Sequence, residues 1–70
     1  MKLIVNGEPR KCGARTLFEL WQEETGEDSG RPRRGYAIAL NGALVPHGAW
    51  HETELSDNDQ VEIVRAMQGG

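Results

Sequence analysis

The chain contains one cysteine, Cys12, which excludes an internal disulfide. A lone cysteine suits a reducing cytosol, so a cytoplasmic location is expected. One cysteine and two histidines, His47 and His51, make no recognisable ligand spacing, and no metal site is expected. Long apolar runs are missing: nothing approaches the roughly 18 consecutive apolar residues of a membrane span. No signal-peptide pattern precedes the first apolar stretch, where Met1 and Lys2 lead directly into Leu3. Basic residues are outnumbered, eight Lys and Arg against eleven Asp and Glu, and the net charge of -3 argues against a nucleic-acid module. A P-loop or other glycine-rich phosphate cradle is also missing, so chemistry on a nucleoside triphosphate would have to be supplied by a partner. At 70 residues the chain is expected to be one domain, residues 1–70, near the lower size limit for a self-sufficient core.

What is present is organised around the last ten residues, VEIVRAMQGG. Val61 and Ile63 alternate with Glu62, the period-2 signature of a strand with one face on a core. Val64 makes the second face partly apolar. Arg65, Ala66, Met67 and Gln68 then lead to Gly69 and Gly70, a tail over about residues 65–70. Two glycines have no Cβ, take almost any backbone conformation, and can follow a groove too narrow for a side chain. Frayed termini also carry glycine. Gly is about 7% of average usage, however, so a chance pair at two given positions is roughly a 0.5% event.

Taken in order, Leu3 to Val5 read as a short strand and Asn6-Gly7 as a type I′ hairpin turn. Glu8 to Cys12 return as a strand in which Pro9, lacking an N–H, belongs at an edge. Cys12 reads as a small buried hydrophobe, since no His or Asp is placed to activate it. Thr16 is the expected helix N-cap, with Glu19 completing a capping box. Leu17, Phe18, Leu20 and Trp21 fall on one arc of the helix, and Gly26 suits its C-terminal end. Gly26 to Gly35, GEDSGRPRRG, is a polar, glycine-punctuated loop. Its Arg31, Arg33 and Arg34 fit either a solvated loop or a contact with a phosphate or acidic partner. Tyr36 to Leu40 is a strand with Tyr36, Ile38 and Leu40 on one face and Ala37 and Ala39 on the other. Asn41-Gly42 turns into a short apolar piece, Ala43 to Val45, which Pro46 ends. Trp50 anchors the following turn, Asn58 suits a left-handed position before the last strand, and that strand starts at Gln60 or Val61.

The order is β-β-α-β-β-β, an α+β chain with one helix on a small mixed sheet. The first and last strands, each apolar on both faces, are expected to pair in parallel at the sheet centre. This is the β-grasp arrangement of ubiquitin-like proteins. The expected core is Leu3, Val5, Leu17, Leu20, Trp21, Ile38, Leu40, Val61 and Ile63. The opposite face, with Ala37, Ala39 and Val64, is flat and weakly apolar. It reads as a partner-binding surface continuing into Arg65, Ala66, Met67 and Gln68, or as ordinary exposed alanine.

The NG hairpin, TLFELW, LNGALVPHGAW, LSDNDQVEIV and the terminal GG together resemble the thiamine-biosynthesis sulfur carrier proteins, over essentially the whole chain. The family's A-x-N-x-x-x-V-P-x-x-x-W pattern is matched by Ala39, Asn41, Val45, Pro46 and Trp50. Two departures are visible: His47 stands where a basic residue, often Arg, follows the VP, and Asn58 where Gly is usual. The loop from Glu27 to Gly35 is also longer than expected. The resemblance implies a carrier and not an enzyme, with no catalytic residue and no bound cofactor of its own. The Gly70 carboxylate would be adenylylated by a ubiquitin-activating-like adenylyltransferase using ATP and Mg²⁺. Sulfur from a cysteine desulfurase system would then replace AMP, leaving 1-thioglycine at Gly70, and thiazole synthase would take the sulfur. Gly69 would give the tail access to both active sites. Other ubiquitin-like sulfur carriers, such as the small subunit of molybdopterin synthase, a protein modifier, and a plain β-grasp interaction module with an incidental GG end are the alternatives.

Overall fold

The structure, a computed structural model, describes residues 1–26 and 35–65. Its elements are β1 (Lys2–Val5), β2 (Glu8–Lys11), α1 (Leu17–Thr25), β3 (Tyr36–Leu40), β4 (Ala43–Val45), a 3-10 turn (His47–Ala49) and β5 (Gln60–Arg65). The strands form one five-stranded sheet in the order β2-β1-β5-β3-β4. β5 sits at its centre, parallel to β1 and antiparallel to β3. The expected parallel pairing of first and last strands is therefore present.

Two hairpins flank β5, and both turn on Asn-Gly. Asn6 and Gly7 have φ of 52° and 82°, and Asn41 and Gly42 have 51° and 88°. Both central residues are left-handed, as a type I′ turn requires, so each loop needs only two residues. β2 lies on the outer edge of the sheet, where Pro9 opposite Ile4 costs no interior ladder bond. The strand proper ends at Lys11, one residue short of the expected Cys12. The Cys12 N–H still donates to the Met1 carbonyl at 2.9 Å.

The N-terminus of α1 is closed by side chain and by tertiary contact. Left alone, the first turn of a helix has donors without partners. Here the Leu17 N–H donates to Thr53 O (3.0 Å) and the Phe18 N–H to Trp50 O (3.2 Å). The Glu19 N–H donates to Thr16 Oγ1 at 3.2 Å. The reciprocal half of the expected capping box is displaced by one residue: Glu19 Oε1 accepts from the Arg15 N–H at 2.8 Å and not from Thr16. Beside it, Thr16 bridges Glu54, and the flanking bonds run from the Leu55 N–H to Arg15 O (2.8 Å) and from the Leu17 N–H to Thr53 O. Gly26 ends the helix in the left-handed region (φ 74°), its N–H donating to Gln22 O.

The core lies between α1 and one face of the sheet. Leu3, Val5, Leu17, Leu20, Trp21, Ile38 and Val61 are buried as expected. Phe18, Cys12, Ala14, Trp50 and Leu55 join them. Leu40 and Ile63 are corrections, being only half-buried and packed against the cluster from its margin. Both point to the helix side, but the 9-residue helix is too short to cover the whole sheet. Trp50 is not merely a turn anchor. It is fully buried, packs on Trp21 with ring centroids 5.6 Å apart, and donates from Nε1 to Val45 O at 3.0 Å. Among the described residues, no helix is long and apolar enough to cross a membrane.

Candidate functional site: the exit of the central strand

Gly70, Gly69, Gln68, Met67 and Ala66 lie outside the described residues, as do Arg31, Arg33 and Arg34. What the structure describes is the strand that leads to the tail and the surface beside it. β5 is laddered to β3 along its length, from Leu40↔Val61 to Tyr36↔Arg65. On the other side its parallel pairing with β1 covers Ile4↔Gln60 and Val5↔Val61. Upstream, that contact continues through the loop: the Ile4 N–H donates to Asp59 O (2.9 Å) and the Asn58 N–H to Lys2 O (2.6 Å). Asn58 takes φ 70°, the left-handed conformation expected of it from the sequence.

Both turn asparagines bond β5 with their side chains, at opposite ends. Asn41 Oδ1 accepts from the Gln60 N–H (2.9 Å), and its Nδ2 donates to Asp59 Oδ1 (3.1 Å). Asn6 Oδ1 accepts from the Ile63 N–H (2.8 Å), and its Nδ2 donates to Ile63 O (3.2 Å). At the end of the strand Arg65 is exposed, and its guanidinium carbon lies 5.7 Å from the centre of the Tyr36 ring. That arrangement is a cation–π contact, worth about 0.5–1 kcal/mol at an exposed site.

The face away from the helix carries the residues expected there. Ala37 lies opposite Val64 and Ala39 opposite Glu62, while the intervening Ile38↔Ile63 pair faces inward. Val64 is 57% exposed. The reading from sequence missed Leu44, which is 73% exposed and pairs with Ala39 from the β4 side. The register imposed by a two-residue turn places Leu44 on this face, so the signal was present in the sequence. Ala37, Ala39, Leu44 and Val64 thus form a contiguous apolar patch directly upstream of the tail.

The remaining sequence candidates have structural duties. Cys12 is buried; its Sγ accepts from the Ala14 N–H (3.2 Å) and lies 3.7 Å from Glu23 Oε1. Burial pushes its pKa up, and the nearby Glu23 and Glu24 charges add to the rise, although the Ala14 N–H opposes it. A nucleophilic cysteine needs the opposite shift. His47 bonds the Tyr36 carbonyl through Nε2 at 2.6 Å and packs edge-on against Trp50. His51 stacks on Phe18 with centroids 3.9 Å apart. Among the described residues, no three His, Cys, Asp or Glu side chains gather where they would hold a metal.

Comparison with known proteins agrees with the fold. The ThiS family model matches residues 3–70. A sulfur carrier protein ThiS from Thermus thermophilus is 38% identical over 71 residues, covering 94% of this chain and 95% of the relative. The Escherichia coli ThiS is 28% identical over 71 residues and is covered completely, as is this chain. A thiazole synthase from Paramagnetospirillum magneticum is 36% identical over 70 residues, and there the chain spans only 20% of the relative's length. The crystal structure of a ThiS from Geobacter metallireducens superposes with a TM-score of 0.76 at 30% identity, covering all of both chains. By sequence and by fold, the chain belongs to the ThiS family of ubiquitin-like sulfur carriers.

Proposed function

We propose that this chain is a sulfur carrier for thiamine thiazole synthesis that works as a co-substrate, not as an enzyme, with Gly70 as the reacting residue. The observation that carries the reading is a family match that runs through residue 70 on a fold whose central strand leads to that end. A free α-carboxyl has a pKa of roughly 3.3–3.7, so at neutral pH it is an anion and a poor electrophile. One carboxylate oxygen attacks the α-phosphate of ATP on the partner adenylyltransferase, pyrophosphate leaves, and the acyl adenylate is attackable. Sulfur at the sulfide level, released from the persulfide of a cysteine desulfurase system by a thiol reductant that is oxidised to a disulfide, attacks the carbonyl, displaces AMP and leaves the thiocarboxylate, 1-thioglycine, at Gly70. ATP and Mg²⁺ are handled by the partner, where positioned cations stabilise the phosphoryl charge. Thiazole synthase is the acceptor, a choice supported by the similarity of this chain to a fifth of a protein of that name. The chemistry is placed in the cytoplasm, in keeping with a lone free cysteine.

Docking is assigned to Ala37, Ala39, Leu44 and Val64, with Arg65, Ala66, Met67 and Gln68 guiding the tail and Gly69 passing the narrowest point. Small and apolar side chains there let a partner approach the sheet closely, next to the reacting end.

Intact-mass spectrometry after incubation with the adenylyltransferase, ATP and the sulfur donor tests the reading. A gain of about 16 Da, the difference between sulfur and oxygen masses, is expected on Gly70, where the pKa of the carboxyl makes activation necessary. Deletion of Gly70, or one residue appended after it, should abolish the gain without unfolding the domain. Gly69→Val should impair the reaction by steric exclusion. Thiocarboxylation at Gly70 within an extended, uncleaved tail would defeat the proposal, and isopeptide conjugates to lysines would make the chain a modifier instead.

A further inference from the structure

β1 ends at Val5, four residues before β5 does. From Glu62 onward β5 would have a partner only on the β3 side. Asn6 fills the next rung. Its backbone N–H donates to Val61 O at 2.8 Å, continuing the parallel ladder. Its side-chain amide then bonds both the N–H and the C=O of Ile63. A carboxamide offers the same acceptor and donor pair as a peptide group, so the side chain stands in for one more residue of β1.

A turn residue alone does not call for this. The left-handed φ of 52° at Asn6 is satisfied as well by Gly or Asp. Asn41 makes the contrast. It has the same turn, nearly the same φ, and a side chain on the same strand, but it holds Gln60, at the entry. Asn6 holds Ile63, two positions before Arg65, the last residue of β5.

We propose that Asn6 is a positioning residue: its two hydrogen bonds to Ile63 extend the pairing of β5 on the β1 side and so fix the direction of the strand that leads to Gly70. The inference rests on Gly70 being the residue that reacts. Gly70 follows Arg65 by five residues, and a carboxylate displaced by about 1 Å can lose two orders of magnitude in rate.

The test compares Asn6→Gly with Asn41→Gly. Both keep a residue that tolerates positive φ, and both delete side-chain bonds to the same strand. Pyrophosphate release by the cognate adenylyltransferase gives kcat and KM with each variant as the substrate. For Asn6→Gly, kcat is expected to fall about tenfold with KM within about twofold, because the docking patch is untouched. Asn41→Gly should change neither by more than about twofold, whatever it costs in stability. Asn6→Asp keeps the acceptor for the Ile63 N–H and should recover part of kcat. Hydrogen exchange should show the Ile63 amide losing protection in Asn6→Gly while Val61 keeps its own. Equal kcat losses in the two glycine variants, or an effect on KM alone, would overturn the proposal. A wild-type chain that is not adenylylated at Gly70 would overturn the proposed function itself, a failure visible before any variant is made.

Discussion

The two tryptophans invite a direct comparison of what one N–H is worth in this core. Trp21 and Trp50 are both fully buried and in contact with each other. Trp50 Nε1 donates to Val45 O at 3.0 Å, whereas Trp21 Nε1 is buried with no hydrogen-bond partner among the described residues. Replacing either with Phe removes the N–H together with a similar volume, so the packing loss largely cancels between the two variants. At Trp50 the change forfeits a hydrogen bond, worth about 0.5–1.5 kcal/mol net. At Trp21 it removes a donor whose desolvation is uncompensated, returning about 1–3 kcal/mol. Trp50→Phe should therefore be less stable than Trp21→Phe by about 1.5–4.5 kcal/mol. In a domain of this size each kcal/mol moves Tm by about 4–8 °C, so the two melting curves should separate by at least about 6 °C. Urea unfolding followed by far-UV circular dichroism measures the difference, with unchanged m-values as the check that only stability differs. If Trp21→Phe costs as much as Trp50→Phe, the assignment of the satisfied and orphaned indoles is wrong.

Leu20→Ala should cost about 2–5 kcal/mol in the same assay, and Ile63→Ala clearly less, because Leu20 is fully buried and Ile63 lies at the margin. Thr16→Ala removes the acceptor for the Glu19 N–H and should cost about 0.5–2 kcal/mol, read from the shift in urea midpoint. Cys12 has a raised pKa in the folded state, so the unfolded chain gives up this proton at lower pH than the folded one. Stability from this group is thus complete below the ordinary thiol range and lost as pH rises through it; Cys12→Ala should flatten that alkaline decline, and iodoacetamide should modify the native thiol far more slowly than the unfolded one. Val64→Asp with Ala39→Asp, on the outer face, should leave the fold intact and weaken binding to the adenylyltransferase by at least about tenfold, or 1.4 kcal/mol, in a titration.

The strands, the helix and the two turns were legible because each follows from local chemistry. Alternation assigned the faces of β3 and β5, Asn-Gly assigned both hairpins, and Thr16 with Gly26 bounded the helix. The errors came from contacts that no local pattern carries. Glu19 bonds Arg15 and not Thr16 at a helix entrance where a distant segment also docks, through the Thr16–Glu54 bridge. Leu55 and Trp50 reach the core for the same reason: the residues that satisfy the first turn of α1 pull them in. Leu40 and Ile63 have the right orientation, but helix length sets how far cover extends. The outer patch was legible from alternation except for Leu44, whose placement required the register of the hairpin. The side-chain bonds of Asn6 and Asn41 lay beyond local reading, since they join residues as far as 57 positions apart.

The central place of β5 also governs how the domain assembles. Until residues 60–65 dock, β1–β2 and β3–β4 are two separate hairpins without a common neighbour, and an isolated two-stranded hairpin is at best marginally stable in water. The bonds that join them close a loop across most of the chain, so its entropy is lost before the sheet gains anything from it. Folding should accordingly be a single cooperative event on the slower side for a domain this small, with neither hairpin populated alone. A peptide ending at residue 59 should show no stable sheet by circular dichroism, although it contains four of the five strands and the whole helix.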